Sequence, residues 1–383
     1  NYPYILVSKL FNVNDLNNPI DTVETEISSV NNQLEVKIDF AADFARGNQY
    51  IIFQYLYDKK GNLIASHQDI NDEKQKLYCP AIDTYCYDKM DSDKFILPSQ
   101  SVQIIDEIDF DALIKSEVYT LVSQLVDLSS NQIVATSSKE FLYDGQKVNA
   151  EISYQQAGQS NRYVVTEQLY HQGVLIGSHT DLADVDQMIY CPSMTSNCYQ
   201  SNDLDKYLTA DNKTVTDEIT YNCLIDNKLY QLQTHLVDYN SNEVVKKVTN
   251  DIFLKDGNGS FSINIDCLDQ NSKKLVLFQY LYCDGNLIAT DADINNENQT
   301  IYVPELSSNA SIVKISNDKA IIKDEIFLSG LKENENYHAV TFLYSHADDK
   351  ILDLSWENEF IFNNDQQNVS IFMEIDGKLL IED

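Results

Sequence analysis

Three short phrases of the chain end in glutamine, and the first two of them begin with histidine. They read HQDINDEKQ at His67–Gln75, HTDLADVDQ at His179–Gln187 and DADINNENQ at Asp291–Gln299. A histidine supported by a carboxylate is a common base, and a carboxamide becomes electrophilic when its oxygen is polarised. The first two phrases therefore contain parts for a proton-assisted reaction at glutamine, whereas the third has aspartate in place of the base.

An oxygen-rich metal loop is the alternative chemistry for these phrases. Asp69, Asp72 and Glu73 could offer carboxylates to a calcium ion. An EF-hand, however, needs ligands at fixed positions around a central glycine and a closing glutamate, and DINDEKQ does not match. No C-x2-C spacing suggests a zinc site. We expect no metal site and no cofactor, with a surface calcium site as the weaker alternative.

The phrases recur with a fixed period, since Gln75, Gln187 and Gln299 are each 112 residues apart and a Tyr-x-Pro follows each one. Such self-similarity identifies a repeat protein. A period of this length fits whole immunoglobulin-sized domains. The intervening segments are rich in Val, Ile, Tyr, Phe and Thr and are separated by turns such as KDGNG and CDGN. This pattern predicts an all-β chain of tandem Ig-like β-sandwiches.

We divide the chain into four repeats, with predicted bounds 1–79, 80–191, 192–303 and 304–383. The second and third contain every recurring strand, so we expect two complete domains. The first lacks the opening strands, and the fourth stops before any QYLY segment and lacks the last strands. Either the chain is a piece of a longer array, or its two ends complement each other between molecules by strand donation.

Motifs in a constant order extend over nearly the whole chain. In the second repeat they are AIDTYC, DEI, VVTEQLY and HTDLADVDQ. This order resembles the VaFE repeats, also called Thr-Gln ester-bond domains, of Gram-positive surface adhesins. The resemblance implies an Ig-like sandwich in which a threonine hydroxyl attacks a glutamine carboxamide and ammonia leaves. It implies these roles: Thr84 as nucleophile, Gln187 as electrophile, His179 and Asp106 as proton carriers, and Glu167 as the assisting acid.

The third repeat departs from this pattern. Ser196 stands at the threonine position, and Asp217 and Gln299 are retained. Gln279 and Asp291 replace the glutamate and the histidine, so the acid and the imidazole are both missing. Because proton transfer then has no evident agent, we expect an ester in at least the second repeat. A crosslink in the third, with Ser196, Asp217 and Gln299 as its residues, is the weaker expectation.

Four of the seven cysteines flank the first two repeat boundaries, and at the third boundary both equivalent positions carry other residues. Because the cysteines of a boundary occur or vanish together, we expect two disulfides, Cys79–Cys86 and Cys191–Cys198. The alternative is that free cysteines fill small core sites. Disulfides would indicate an oxidising, extracellular location. The pairing of the remaining three stays open: Cys223, Cys267 and Cys283.

The composition restricts the function further. A net charge of -33 disfavours nucleic acid and anionic membrane surfaces as partners. No apolar run is long enough to span a membrane, and no secretion signal begins the chain. No Gly-rich phosphate loop or nucleophile elbow indicates an enzyme that acts on external substrates.

We therefore expect a secreted or cell-surface stalk or fibre segment rather than an enzyme. Its partners would be neighbouring domains of the same longer chain or like subunits in a fibre. The alternative is an adhesin module that binds a glycan or a host or matrix protein through the loops of its sandwiches, with the ligand unknown.

Overall fold

The structure, a computed structural model, describes eleven segments of the chain: residues 4–27, 33–40, 47–98, 101–155, 157–158, 160–209, 211–267, 272–316, 318–345, 349–363 and 366–376. The secondary structure of these residues is antiparallel β-sheet with short 3₁₀ turns, which confirms the predicted all-β fold. Within the same segments, no helix has the length and apolar character needed to cross a bilayer. The chain forms two compact units, Asn1–Cys191 and Pro192–Asp383.

The first repeat forms one antiparallel sheet. Its elements are β1 (Tyr4–Asn12), β2 (Asp21–Ile27), β3 (Asn48–Tyr57), β4 (Leu63–His67), the 3₁₀ turn Glu73–Gln75 and β5 (Lys76–Cys79). The strand order is β2-β1-β3-β4, and β5 pairs with β3. Leu10 and Tyr50 are buried on one face of this sheet against Ile38 and Phe40.

The second repeat is a sandwich of a three-stranded and a five-stranded sheet. Its elements are β6 (Ala81–Asp88), β7 (Val102–Asp111), β8 (Val118–Asp127), β9 (Gln132–Leu142), β10 (Val148–Tyr154), β11 (Asn161–His171), β12 (Val174–His179), the 3₁₀ turn Val185–Gln187 and β13 (Met188–Cys191). One sheet has the order β10-β7-β6, and the other has the order β12-β11-β8-β9 with β13 paired to β11. Ile104 and Ile152 of the first sheet pack against Leu125 and Val165 of the second in one buried core.

The third repeat has the same architecture. Its elements are β14 (Ser193–Gln200), β15 (Thr214–Asn222), β16 (Lys228–Asp238), β17 (Val244–Leu254), β18 (Gly259–Asp266), β19 (Lys274–Cys283), β20 (Asn286–Asp291), the 3₁₀ turn Glu297–Gln299 and β21 (Thr300–Tyr302). The sheets have the orders β14-β15-β18 and β17-β16-β19-β20, with β21 paired to β19.

The fourth repeat contains a three-stranded and a two-stranded sheet. Its strands are β22 (Glu305–Ile315), β23 (Lys319–Ser329), β24 (Asn336–Ser345), β25 (Lys350–Ile361) and β26 (Gln366–Asp376). The orders are β22-β23-β26 and β24-β25. Ile322 and Ile371 of the larger sheet pack against Tyr337 and Phe360 of the smaller one.

Tyrosines at equivalent positions support a loop in each of the last three repeats. Tyr119, Tyr230 and Tyr337 each accept a hydrogen bond from a backbone N–H five residues earlier, at 2.9 to 3.0 Å. A tyrosine that bonds a nearby backbone group in this way is a known feature of Ig-like sandwiches. These tyrosines therefore belong to the structural core rather than to a ligand-binding surface.

The structure contradicts the two predicted disulfides, neither of which is formed. Cys86 lies five residues along β6 from Ala81, a distance of about 16 Å in an extended strand. Cys79 is only two residues before Ala81, so its Cα atom lies at most about 7 Å from that of Ala81, even if the chain turns back toward Cys86. The Cα atoms of Cys79 and Cys86 are therefore too far apart for a disulfide, which needs less than about 7 Å. The same argument separates Cys191 from Cys198, five residues along β14 from its first residue.

The strand alternation instead turns Cys86 and Cys198 into the cores of the second and third repeats, where both are fully buried. Burial raises the pKa of both thiols. The alternative expectation, that these cysteines fill small core positions, describes them correctly.

Candidate functional site

Three polar residues of the second repeat occupy positions where strand alternation demands apolar ones. Thr84 on β6 lies between Ile82 and Cys86 in the inward phase of its strand, Asp106 on β7 is flanked by inward Ile104 and Ile108, and Glu167 on β11 by Val165 and Leu169. Asp106 and Glu167 are fully buried, and Thr84 is 7% exposed. Because buried charges and hydroxyls destabilise a core unless they have partners, this placement marks a site.

The 3₁₀ turn Val185–Gln187 delivers the fourth residue of the site. Asp184 caps this turn by accepting a hydrogen bond from the Asp186 N–H at 2.9 Å. The turn directs the fully buried Gln187 side chain across the gap between the two sheets, where its Nε2 donates to Thr84 Oγ1 at 2.9 Å. The Thr84 hydroxyl in turn donates to Asp106 Oδ1. The structure thus brings together a hydroxyl and a carboxamide that are 103 residues apart in sequence.

Asp106 and Glu167 form a buried carboxyl pair. Burial, followed by the charge of the neighbouring Asp106, holds the pKa of Glu167 well above its usual range. Burial also raises the pKa of Asp106, although the hydrogen bond from Thr84 opposes this shift. No described residue outside this site hydrogen-bonds the Glu167 oxygens or Asp106 Oδ2. A pair of this kind shares one proton at neutral pH, so that one carboxyl is an acid and the other a base.

His179 lies at the edge of the site rather than in its centre. It is opposite Glu167 in the β11–β12 register, half-buried, with Nε2 2.8 Å from Asp184 Oδ2. Among the described contacts, none joins His179 directly to Thr84 or Gln187 by a hydrogen bond. Its positive charge, when protonated, lowers the pKa of Asp106.

Asp184 is a site residue that the sequence reasoning missed. It has two tasks, since one oxygen caps the turn that holds Gln187 and the other binds the His179 ring. The first repeat has the same arrangement, with His67 Nε2 2.8 Å from Asp72 Oδ2. The signal was present in the sequence: the residue three places before each glutamine is aspartate where the phrase begins with histidine, and asparagine where it begins with aspartate.

The third repeat brings its reacting groups together in the same way. Gln299 Nε2 donates to Ser196 Oγ at 2.9 Å. Gln279, at the glutamate position, donates through Nε2 to Asp217, and Asp291, at the histidine position, accepts the Ser196 N–H at 2.9 Å. Burial raises the pKa of Asp217 from 3.8 to about 7, while hydrogen bonds from Gln279 and Ser196 act in the opposite direction. This centre therefore has contact between the reacting groups but a different set of proton carriers.

The raised pKa of Asp217 predicts how the stability of the third repeat depends on pH. The folded state binds this proton more tightly than the unfolded chain, so the stabilisation is complete below about pH 3.8 and is lost as the pH rises through about 7. We expect the free energy of unfolding to fall over this window by up to about 1.4 kcal/mol per pH unit. Asp217→Asn should flatten the fall. Denaturant unfolding at a series of pH values measures it, with Asp251→Asn on the exposed part of β17 as control, and parallel curves for wild type and Asp217→Asn would contradict the prediction.

The incomplete repeats hold only parts of the site. In the first, Gln54 faces His67 in the β3–β4 register, so that a carboxamide again replaces the glutamate. In the fourth, Asp324 is buried and accepts a hydrogen bond from Thr341 Oγ1 at 3.1 Å, whereas Ser308 lies on an exposed strand. Among the described contacts of these two repeats, no serine or threonine hydroxyl is hydrogen-bonded to a glutamine side chain.

The residues considered for calcium do not form a metal site in the part of the chain that the structure describes. Asp69, Asp72 and Glu73 accept local hydrogen bonds from backbone and side-chain groups. No cluster of three or more His, Cys, Asp or Glu side chains suited to a metal occurs among the described residues.

Many chains of solved structures match this chain, and those described here agree with it only weakly. A bacterial adhesin from Mobiluncus mulieris that contains intramolecular disulfide, isopeptide and ester bond cross-links shares 10% identity over 61% of this chain and 90% of its own, with a TM-score of 0.27. A β-galactosidase-like protein from Bacteroides fragilis shares 10% identity over 62% of this chain and 36% of its own, with a TM-score of 0.24. Likenesses this weak carry no functional argument. No curated protein matches the chain.

The family match is much more specific. The family described as T-Q ester bond containing domain matches three consecutive segments, residues 1–79, 80–191 and 192–303. These segments cover most of the 383 residues. Each ends at the middle residue of the Tyr-x-Pro that follows a glutamine phrase. The chain therefore belongs to the T-Q ester bond containing domain family.

Proposed function

We propose that the second repeat crosslinks itself through an ester between Thr84 Oγ1 and the side-chain carbonyl carbon of Gln187, with release of one ammonia. One observation carries this proposal above the others. The hydroxyl that would attack is held between a carboxamide at 2.9 Å and a carboxyl, in a core that excludes water. Contact of this kind converts a slow reaction of two groups into an effectively unimolecular one.

The buried carboxyl pair supplies the chemistry. Asp106 accepts the hydroxyl proton as Thr84 Oγ1 bonds to the Gln187 carbonyl carbon. The Gln187 carbonyl oxygen, Oε1, has no hydrogen-bond partner among the described residues. Protonated Glu167 is the acid that would donate to it and stabilise the negative charge that develops there in the reaction. When the C–N bond breaks, the nitrogen takes up the proton that left Thr84, passed on through the carboxyl pair or through His179. Ammonia leaves, and the ester remains.

This reaction occurs once in each molecule, because both reactants belong to the chain and the product stays in the core. His179 is the half-exposed member of the site and is held by Asp184, so it connects the buried pair with solvent. The centre is a self-processing device rather than an enzyme that turns over external substrates.

The position of the ester suggests a mechanical role. Thr84 is on the first strand of the repeat, and Gln187 immediately precedes its last strand. Tension on the chain would pass from β13 through the ester to β6, without loading the residues between them. We propose a secreted or cell-surface stalk or fibre segment, divided at the predicted bounds 1–79, 80–191, 192–303 and 304–383. Its partners are adjoining domains of a longer chain or like subunits.

Intact-mass measurement of the full chain tests the ester. We expect wild type to lack one ammonia relative to its sequence, with the loss localised to a linked pair of peptides that contain Thr84 and Gln187. A wild-type mass equal to the sequence mass overturns the proposal.

Glu167→Gln should slow the reaction by about 10²- to 10⁴-fold, the range for loss of one general acid. Glutamine keeps the shape of the side chain but cannot transfer a proton. Newly folded chains would keep the Gln187 amide for much longer, and intact mass measured over time would follow its loss. Gln168→Glu, on the neighbouring outward position of β11, is the control and should react like wild type. An unchanged rate in Glu167→Gln would remove the acid from the mechanism.

A further inference from the structure

A short segment of the second repeat, Asp93–Ile96, lies beside the last strand and has no role in the mechanism above. We call it the bridging segment. The Tyr190 N–H donates to the Lys94 carbonyl and the Ile96 N–H donates to the Tyr190 carbonyl, both at 2.8 Å. The backbone thus ties this segment to β13, while its lysine points toward β6.

The Lys94 side chain connects the two halves of the reaction site. Its Nζ donates to the carbonyl oxygen of Cys86 at 2.5 Å and to that of Asp186 at 2.6 Å. Cys86 is two residues after Thr84, and Asp186 immediately precedes Gln187. Because β6 and β13 belong to different sheets, no strand pairing fixes the distance between the nucleophile and the electrophile. Among the described side chains, Lys94 is the one that bonds both backbones.

The third repeat contains the same arrangement. Lys206 Nζ donates to the carbonyl of Cys198 and, at 2.7 Å, to that of Asn298. These carbonyls have the same sequence relation to Ser196 and Gln299 as Cys86 and Asp186 have to Thr84 and Gln187. An ammonium placed identically in two repeats of differing sequence argues for a common task.

A lysine in this place has a clear energetic disadvantage. Burial lowers the pKa of the Lys94 ammonium, although the Cys86 thiol and Asp186 oppose the shift. The ring of Tyr85 covers the ammonium at 3.8 Å from its centroid. An apolar side chain would fill the space without desolvating a charge, but it could not bind two carbonyls at once. Lysine has three donors that can point in different directions.

We propose that Lys94 is a positioning residue for the crosslinking reaction, which holds the Thr84 strand and the Gln187 turn at the separation that the attack requires. This inference rests on the proposed ester. Small misplacements of reacting groups slow such reactions by about two orders of magnitude. Loss of Lys94 should therefore reduce the rate of ester formation although the acid and the base both remain in place.

The test follows the reaction in the full chain from its start. Chains recovered unreacted from inclusion bodies in denaturant are diluted into buffer, and the loss of ammonia is timed by intact mass. We expect Lys94→Met to react about 10- to 100-fold more slowly than wild type. Lys94→Arg, which keeps several donors, should restore most of the rate. Lys89→Met, which removes an exposed lysine paired with Glu151 at 2.8 Å, is the matched control and should leave the rate unchanged.

Two further measurements separate positioning from folding. The refolding of Thr84→Val and Thr84→Val/Lys94→Met, followed by circular dichroism, shows how the lysine affects folding when no ester can form. The pH profile of Lys94→Arg, which keeps a positive charge near Asp106, should keep the midpoints of wild type, while the rate of Lys94→Met falls at every pH. If Lys94→Met does not fold, the rate of Lys94→Gln tests the proposal instead. The glutamine side chain ends one bond before the position of the ammonium, so we expect an intermediate rate.

The outcomes distinguish the two proposals. No ammonia loss in wild type would overturn the ester itself. Normal loss in wild type together with an equal rate in Lys94→Met, or in Lys94→Gln where Met does not fold, would overturn the role of Lys94 and leave the ester intact. A rate loss that refolding accounts for fully, or a pH midpoint shifted in Lys94→Arg, would also overturn the positioning role.

Discussion

Replacing Thr84 by valine should prevent the loss of ammonia from Gln187 and strongly destabilise the second repeat. Valine has nearly the shape of threonine, and the position is almost buried, so the variant removes the nucleophile without a large cavity. Without the ester, the residues between 84 and 187 no longer form a closed loop. On the chain-entropy model this lowers the free energy of unfolding by about 4 to 5 kcal/mol.

Mass and hydrogen exchange measure the two parts of this expectation. Intact mass should differ from wild type by one ammonia beyond the substitution itself. Amide exchange in β6 and β13 should become faster, because the first and last strands can then separate locally. Thr166→Val is the control, since it removes another buried threonine of this repeat whose hydroxyl lies 3.5 Å from the Gln124 carbonyl. Ammonia loss in Thr84→Val equal to that of wild type would mean that another residue is the nucleophile.

The sequence was sufficient to predict the architecture because the signals for it are local. Alternation with period two predicted strands, and phrases such as IIFQYLY and VVTEQLY fall within β3 and β11. The 112-residue period showed that the same strands recur in the same order. Strand propensity and turn residues act over a few positions, so one chain contains all the information that this step needs.

The candidate site could be predicted only as far as the family motif extends. Thr84, Asp106, Glu167 and Gln187 meet as the resemblance implied, but His179 reaches the site through its charge and through Asp184. The lysine of the bridging segment was missed because its partners are backbone carbonyls, which leave no trace in residue types. Such contacts depend on how two sheets pack, and packing is not a local property.

The two disulfides were predicted from the joint presence or loss of cysteines at the repeat boundaries, without regard to which side of the strand each cysteine faces. Cys79 and Cys86 are close in sequence, and their joint loss at the third boundary suggested pairing. Cys86, however, is two residues after Thr84 and must face the same side of β6. A threonine that points into a reaction site therefore places this cysteine in the core, out of reach of Cys79. Applied in advance, this argument excludes the pairing.

The triple variant Gln279→Glu, Asp291→His and Asn296→Asp should give the third repeat an ester of its own. The reacting groups already touch, since Gln299 Nε2 is 2.9 Å from Ser196 Oγ. What differs from the second repeat is proton transfer: a carboxamide stands in place of the acid, and an Asp–Asn pair in place of the His–Asp pair. A group that transfers protons contributes about 10²- to 10⁴-fold to such reactions. Restoring both the acid and the His–Asp pair should therefore turn a negligible rate into a complete reaction.

Intact mass reads this gain directly, because wild type should lack one ammonia and the triple variant two. The same three substitutions combined with Ser196→Ala form the control and should lack only one, which assigns the second loss to this centre. Asp291→His with Asn296→Asp alone restores the His–Asp pair without the acid and should react slowly. A second ammonia already missing from wild type would mean that Asp217, with its pKa of about 7, suffices without the acid and without the His–Asp pair. No second loss in the triple variant would mean that contact and proton carriers together are not enough, and that the Ser196 hydroxyl is not aligned for attack on Gln299.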